Sequence, residues 1–329
     1  LLTGLTCLWA LVAAEQPAHA KAEAAVPAAS GAAASASCPP VAQVPSAEQM
    51  RAAQAVARDR GFLWRITRDG RTSHLYGTIH VGKFDWIFPG PAVRAALFGS
   101  DMLALELDLT DPATMQQLAA ASAAGPAMPA LDEALRARIR RQAEAACLPD
   151  GLLDKQHPVM QAITLVVLGS RWDDLDPGYA QEYMLAGAAR ARRMPIVSLE
   201  SVALQLRTLI PADANEALQA VTQVLDQLES GVARHSAKRL AQGWADGRLD
   251  DLAQYEQWCD CVTSEQDRAA LRRINDERNP ALAEHIEALH AGGKSVFAAV
   301  GALHMTGAQA LPALLAKRGF TVERVAFSP

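Results

Sequence analysis

Cysteine is scarce in this 329-residue chain, with five in all. Cys7 lies in an apolar leader, which leaves Cys38, Cys147, Cys259 and Cys261. Only Cys259 and Cys261 are closely spaced, and without a second such pair a zinc–thiolate site has no framework. His-Glu-x-x-His is absent, which excludes the helix-borne plan of common zinc peptidases. Gly-x-Ser-x-Gly and a glycine-rich phosphate loop are absent too, so the usual supports for serine hydrolases and nucleotide enzymes are gone. Charge of one sign is also lacking. The net charge is −5, and the densest basic run, Arg136, Arg138, Arg140 and Arg141, has acidic flanks and spreads over several helix faces. Nothing there argues for nucleic acid.

A long apolar run occurs only at the start. Leu1 to Ala14 is apolar, and Pro17-Ala18-His19-Ala20 ends in the small-x-small pattern of a secretory cleavage site. We read residues 1–20 as a removed export signal, too short for a comfortable transmembrane span, and expect a periplasmic or secreted mature chain. Residues 21–46 hold almost no large apolar side chain and cannot offset the entropy of ordering, so a disordered Ala/Ser/Pro-rich tether is expected. The remaining roughly 280 residues, 47–329, suit one domain. An even cysteine count in an exported chain permits disulfides. Cys259 and Cys261 are too close for an easy bridge within a helix or strand, so one of them is expected to pair with Cys147. Cys38 either pairs with the domain or stays free.

Alternation and turn signals give the organisation. Phe62–Thr67 and Thr72–Gly77 read as a hairpin around Asp69-Gly70. Ala92–Gly99 reads as a short helix and Met102–Leu109 as a strand. A helical middle follows from Pro112, broken at Gly125-Pro126, Leu148 to Gly151, His157-Pro158 and Asp176 to Gly178. Pro195–Leu199 is a short strand, a second helical block runs to His290, and Val296–Val300 is another strand. Pro312–Arg318 is a helix and Phe320–Phe327 a last strand. The sum is α/β: a mixed sheet built from two related strand–Gly-x-x-His–helix–strand units, with a large helical insertion.

Those two units carry the chemistry. Gly77-Thr78-Ile79-His80 recurs in kind as Gly301-Ala302-Leu303-His304, each after a strand and before a small-residue turn. A histidine just past a strand's carboxyl end sits where open α/β sheets bind ligands. Two such corners suggest one site built from both halves. Glu106 falls within the apolar run Leu103–Leu109, where a carboxylate needs a cation, a metal or strong hydrogen bonds; a half-exposed polar face is the other reading. Glu200 closes the strand Pro195–Leu199, where an acid at a helix start is ordinary. Arg278 sits in the charged stretch Asn275–Arg278, read as helical, where a surface salt bridge is the commoner role.

Taken in order, five segments resemble the TraB/GumN family, relatives of the Tiki proteases. They are Leu75–Val81, Leu103–Asp108, Leu199-Glu200-Ser201 with Gln205, Glu277-Arg278-Asn279 with Ile286, and Ala299–Gly307. The resemblance covers about Gly61 to Phe327. It implies that His80, Glu106 and His304 form a centre, with Glu200 and Arg278 beside it. The Tiki relatives imply a metal-dependent peptidase, with His80, His304 and Glu106 as ligands of a divalent Mn, Co or Zn. Glu200 would then be general base, and Arg278 would stabilise oxyanion charge. Distant erythromycin-esterase-like relatives imply a metal-independent alternative, a histidine activating water with a glutamate's help. Pheromone-shutdown and gum-cluster members imply a third, a binding or accessory protein for a peptide, haem or polysaccharide work. The chain departs from the family pattern at Gly178–Leu185, where relatives often carry Gly-x-Asp. Glu182 either substitutes for that Asp or the position is lost.

Overall fold

The computed structural model describes residues 38–123 and 128–327. The expected export signal, the first part of the expected tether and the Gly125-Pro126 break lie outside the described residues.

Six strands form one sheet in the order β4-β3-β5-β2-β1-β6. β1 (Phe62–Arg68) and β2 (Arg71–Thr78) are a hairpin whose register runs from Arg68↔Arg71 to Phe62↔Gly77. Asp69 and Gly70 both adopt positive φ, 51° and 71°, the left-handed pair a two-residue turn demands. β3 (Met102–Leu105), β4 (Ile196–Ser198) and β5 (Val296–Gly301) follow, with β6 (Thr321–Arg324) last. β5 is parallel to β2 and β3, β3 is parallel to β4, and β1 runs antiparallel to both neighbours. All of β5 is buried, as a mid-sheet strand covered on both faces should be.

After α1 (Ala47–Ala55), helix α2 (Pro91–Phe98) links β2 to β3. The insertion holds α3 (Pro112–Ala123), α4 (Glu133–Ala145), α5 (Pro158–Gly169), α6 (Gln181–Ala191), α7 (Val202–Leu209) and α8 (Ala214–Glu229). It continues through α9 (Val232–Ala245), α10 (Leu249–Ala253), α11 (Tyr255–Trp258), α12 (Glu265–Ile274) and α13 (Asn279–Ala291). α14 (Leu311–Lys317) joins β5 to β6. β2–α2–β3 and β5–α14–β6 are thus both strand–helix–strand units with parallel strands, the repeat expected from the two Gly-x-x-His segments. α5 is buried almost all round, which explains a sequence whose only polar side chains are Gln161 and Thr164. Among the described residues no helix is long and apolar enough to cross a membrane.

Cys38–Ser46 is held against the domain. Cys38 bonds to Cys147, Ala42 N donates to Asp176 at 3.0 Å, and Ser46 caps α1. The expected partner of Cys147 was Cys259 or Cys261; those two instead bond to each other. The expectation assumed a helix or strand there, whereas Cys259 ends α11 with extended backbone, φ −80° and ψ 102°.

Candidate active site

Four neighbouring parallel strands end on one edge of the sheet, and each delivers a site residue there. β2 ends at Thr78, two residues before His80, and β5 ends at Gly301, three before His304. The register Thr78↔Gly301 puts those ends side by side. β3 stops at Leu105, so Glu106 is the first residue beyond it, not an interior strand position as the apolar run to Leu109 suggested. β4 stops at Ser198, two residues before Glu200, and Glu200 N donates to the Glu106 carbonyl at 3.0 Å. The side chains are buried: His80 is 6% exposed, Glu106 2%, Glu200 8%, Arg278 4% and His304 0%.

His80 is oriented from behind. Its Nδ1 lies 2.9 Å from Glu182 Oε1, in the first turn of α6, and Thr78 Oγ1 donates to the same oxygen. A carboxylate at Nδ1 leaves Nε2 as the nitrogen that faces the site. Glu182 is therefore tied to both His80 and Thr78. Its Oε2 is buried with no hydrogen-bond partner.

The two acids are bound together by one cation. Arg278 Nε donates to Glu200 Oε1 at 2.9 Å, and Nη2 reaches Glu200 Oε2 and Glu106 Oε2. Gln205, from α7, donates to Glu200 Oε2 at 3.1 Å. Gly301 N donates to Glu106 Oε1 at 2.8 Å. Burial alone would pull the guanidinium down, but Glu106 and Glu200 outweigh it and hold Arg278 above its ordinary value. The charged stretch alone suggested a surface salt bridge for Arg278, whereas the family resemblance implied a place beside the centre. It stands between α12 and α13, where the chain turns inward, and Nη1 donates to the Ile274 carbonyl at 2.9 Å.

His304 lies in a 3₁₀ turn, Ala302–Met305. Its Nδ1 is 2.6 Å from Asn279 Oδ1, at the start of α13. Burial, seconded by the Arg278 charge, holds the ring well below its ordinary titration point, so it is neutral. Its Nε2 is buried with no hydrogen-bond partner.

The three central groups meet at Gly301. A Cβ placed there would stand 3.1 Å from His80 Nε2, 3.3 Å from Glu106 Oε1 and 3.6 Å from His304 Cδ2. Only glycine leaves that point open. Among the described residues no three His, Cys, Asp or Glu side chains are drawn into a ready-made ligand shell. Sequence reasoning gave no role to Asn279 or Thr78 and left Glu182 open. Each sits beside a recognised residue in space, but Glu182 is 104 positions from Thr78 and Asn279 is 25 from His304. His285, which has no partner by spacing, donates from Nδ1 to the Leu199 carbonyl just before Glu200.

An α/β domain that gathers two histidines and two glutamates at adjoining strand ends defines a protein with one buried polar centre at the sheet edge. The TraB/PrgY/gumN family model matches residues 62–324, and the chain belongs to that family. No curated protein and no solved structure matches it.

Proposed function

We propose that this protein is an exported, metal-dependent hydrolase of peptides, centred on His80, His304 and Glu106. The carrying observation is the meeting of His80 Nε2, Glu106 Oε1 and the His304 ring around Gly301, with each Nδ1 held by a side-chain oxygen. Metal-bound histidines characteristically have the other ring nitrogen fixed in this way. Charge supports the same reading. Glu106, Glu182 and Glu200 are buried, and Arg278 supplies one positive charge near them. Uncompensated carboxylates are costly in such a place, so a cation would stabilise it. The donors, two imidazoles and a carboxylate, suit Mn, Co or Zn. His80 and His304 would hold it through Nε2 and Glu106 through Oε1. When bound, it would polarise a carbonyl and lower the pKa of water.

The chain's own groups supply the rest. Both oxygens of Glu200 are engaged by Arg278, so Glu200 would have to loosen that contact to take the proton-accepting role implied for it, while Glu182 would orient His80 from behind. Four of the five Arg278 N–H groups are committed to Glu106, Glu200 and Ile274, which makes it the brace of the two acids and not an oxyanion donor. Export rests on the leader, residues 1–20, and the peptide substrate on the likeness to Tiki proteases.

One observation favours a second reading. Glu106 already carries Arg278 and the Gly301 N–H, and the Glu182–His80 pair has the form of a base with its orienting carboxylate. A metal-independent hydrolase would use that pair alone. The deciding experiment is elemental analysis of chelator-free protein beside a His80→Ala/His304→Ala double variant, then a peptide screen with Mn, Co and Zn. About one metal per chain in wild type and none in the variant supports the first reading. No metal after reloading, with turnover that survives chelation, supports the second. Ligand capture without turnover would reject both in favour of a binding protein.

A further inference from the structure

We propose that Asn279 is a positioning residue that fixes His304 as the Nδ1–H tautomer, so that Nε2 enters the centre as a permanent lone pair. The orientation of the Asn279 amide follows from its other contacts. Its Nδ2 donates to the Gln309 carbonyl at 2.8 Å and to the His304 carbonyl at 3.3 Å. Both partners only accept, so Nδ2 must be the NH₂ and Oδ1 the acceptor. Oδ1 lies 2.6 Å from His304 Nδ1, and an acceptor there requires a proton on that nitrogen. A neutral imidazole carries one N–H, so Nε2 is the unprotonated nitrogen. It is the atom left without a hydrogen-bond partner.

The local sequence explains why Asn279 can do this. It is the first residue of α13, next to Pro280, and its backbone N–H donates to the Asp276 carbonyl at 3.3 Å, which leaves the side chain free for His304 and Gln309. The Asn279 and His304 side chains are both fully buried, at 0% exposure, so bulk solvent does not compete for the contact. The backing of the two histidines therefore differs. His80 leans on a carboxylate and His304 on a neutral amide.

This rests on His304 facing the centre of the proposed site, but its test needs neither metal nor substrate. Histidine ¹⁵N spectra of wild-type protein, with His304 assigned by the signals lost in His304→Gln, should show a pyrrole-type Nδ1 and a pyridine-type Nε2. In Asn279→Ala, with the Nδ1 acceptor gone, a large fraction should convert to the Nε2–H form. Asn279→Asp keeps an acceptor and should retain the wild-type tautomer. A wild-type spectrum with Nε2–H, or an Asn279→Ala spectrum unchanged from wild type, overturns the proposal. If Asn279→Ala does not fold, the wild-type and Asn279→Asp spectra decide it. The expected tautomers in a protein without turnover would keep this assignment and reject the hydrolase.

Discussion

Arg278 grips Glu200 with two N–H groups and extends one of the same nitrogens to Glu106, so a single guanidinium joins the ends of β3 and β4. All three side chains are within 3% of full burial. Arg278→Ala leaves two carboxylates buried without a cation. Breaking a buried pair on one side costs about 3–5 kcal/mol, and denaturant unfolding of metal-free protein should show that loss. Arg278→Lys should recover little, since an ammonium cannot make the bidentate contact. A variant within about 0.5 kcal/mol of wild type would mean that the acids are protonated or solvated instead.

Gly301→Ala tests the centre with a single methyl. Gly301 has an ordinary backbone conformation, with φ −48°, so alanine adds no backbone strain. The methyl would lie 3.1 Å from His80 Nε2 and 3.3 Å from Glu106 Oε1, beside the atoms proposed to hold the metal. The variant should fold, with an unchanged far-ultraviolet circular dichroism spectrum, and should lose both metal and turnover. Undiminished turnover would place the reaction elsewhere.

Glu182 and Glu200 should separate in their effects. Glu182→Gln removes the carboxylate behind His80, so metal affinity or activity should fall by about 10–100-fold, the usual cost of losing the group that fixes a ligating histidine. Glu200→Gln keeps its shape but halves the anionic partnership of Arg278, and its main effect should be on stability. A large kcat loss in Glu200→Gln with metal retained would assign it the base role.

Much of this was legible in the sequence, and the remainder was hidden for identifiable reasons. The strand-ended Gly-x-x-His pair located His80 and His304, because strand alternation and glycine placement are local signals. Glu106 stood out as an acid in an apolar run. That run did not reveal where β3 stops: Leu107 and Leu109 lie beyond the strand and are buried all the same, so the apolar pattern outlasts it. Glu182 was obscure because an acid in the first turn of a helix has an ordinary explanation in the macrodipole. Its partners come from β2, far away in sequence. Asn279 was obscured by its position between Arg278 and Pro280, where a helix start accounts for it. The site's second layer is made by tertiary contacts, which leave no periodic trace.

The Cys38–Cys147 bond spans 109 residues and holds Cys38–Ser46 over the loop at Asp176. Asp176 also exchanges backbone hydrogen bonds with Gly82, two residues past His80. Both cysteines are exposed, so reduction should reach them. Cys38→Ser should cost about 2–4 kcal/mol, the usual range for a native disulfide. Limited proteolysis should then cut between residues 38 and 46 first. Protection equal to wild type would mean that the Ala42 and Gln43 hydrogen bonds hold the segment without the disulfide.

His304 should give the metal-free protein an acid-sensitive stability. In the unfolded chain this ring binds a proton near its ordinary value of 6.5, whereas in the fold burial and the neighbouring Arg278 keep it neutral far below that. Below about pH 6.5 the unfolded state therefore binds more protons than the native one, and stability falls as pH falls. The contribution is complete above the unfolded value and is lost at about 1.4 kcal/mol per pH unit once the unfolded ring is charged. The measurement is denaturant unfolding at pH 7.5, 6.5 and 5.5 for wild type and His304→Gln, which share all other titrating groups. The gap between the two proteins should narrow toward pH 5.5, because glutamine takes up no proton in either state. A gap that is constant or widens on acidification would mean that His304 is protonated in the fold. Its Nε2 could not then be a lone-pair donor to any occupant of the centre.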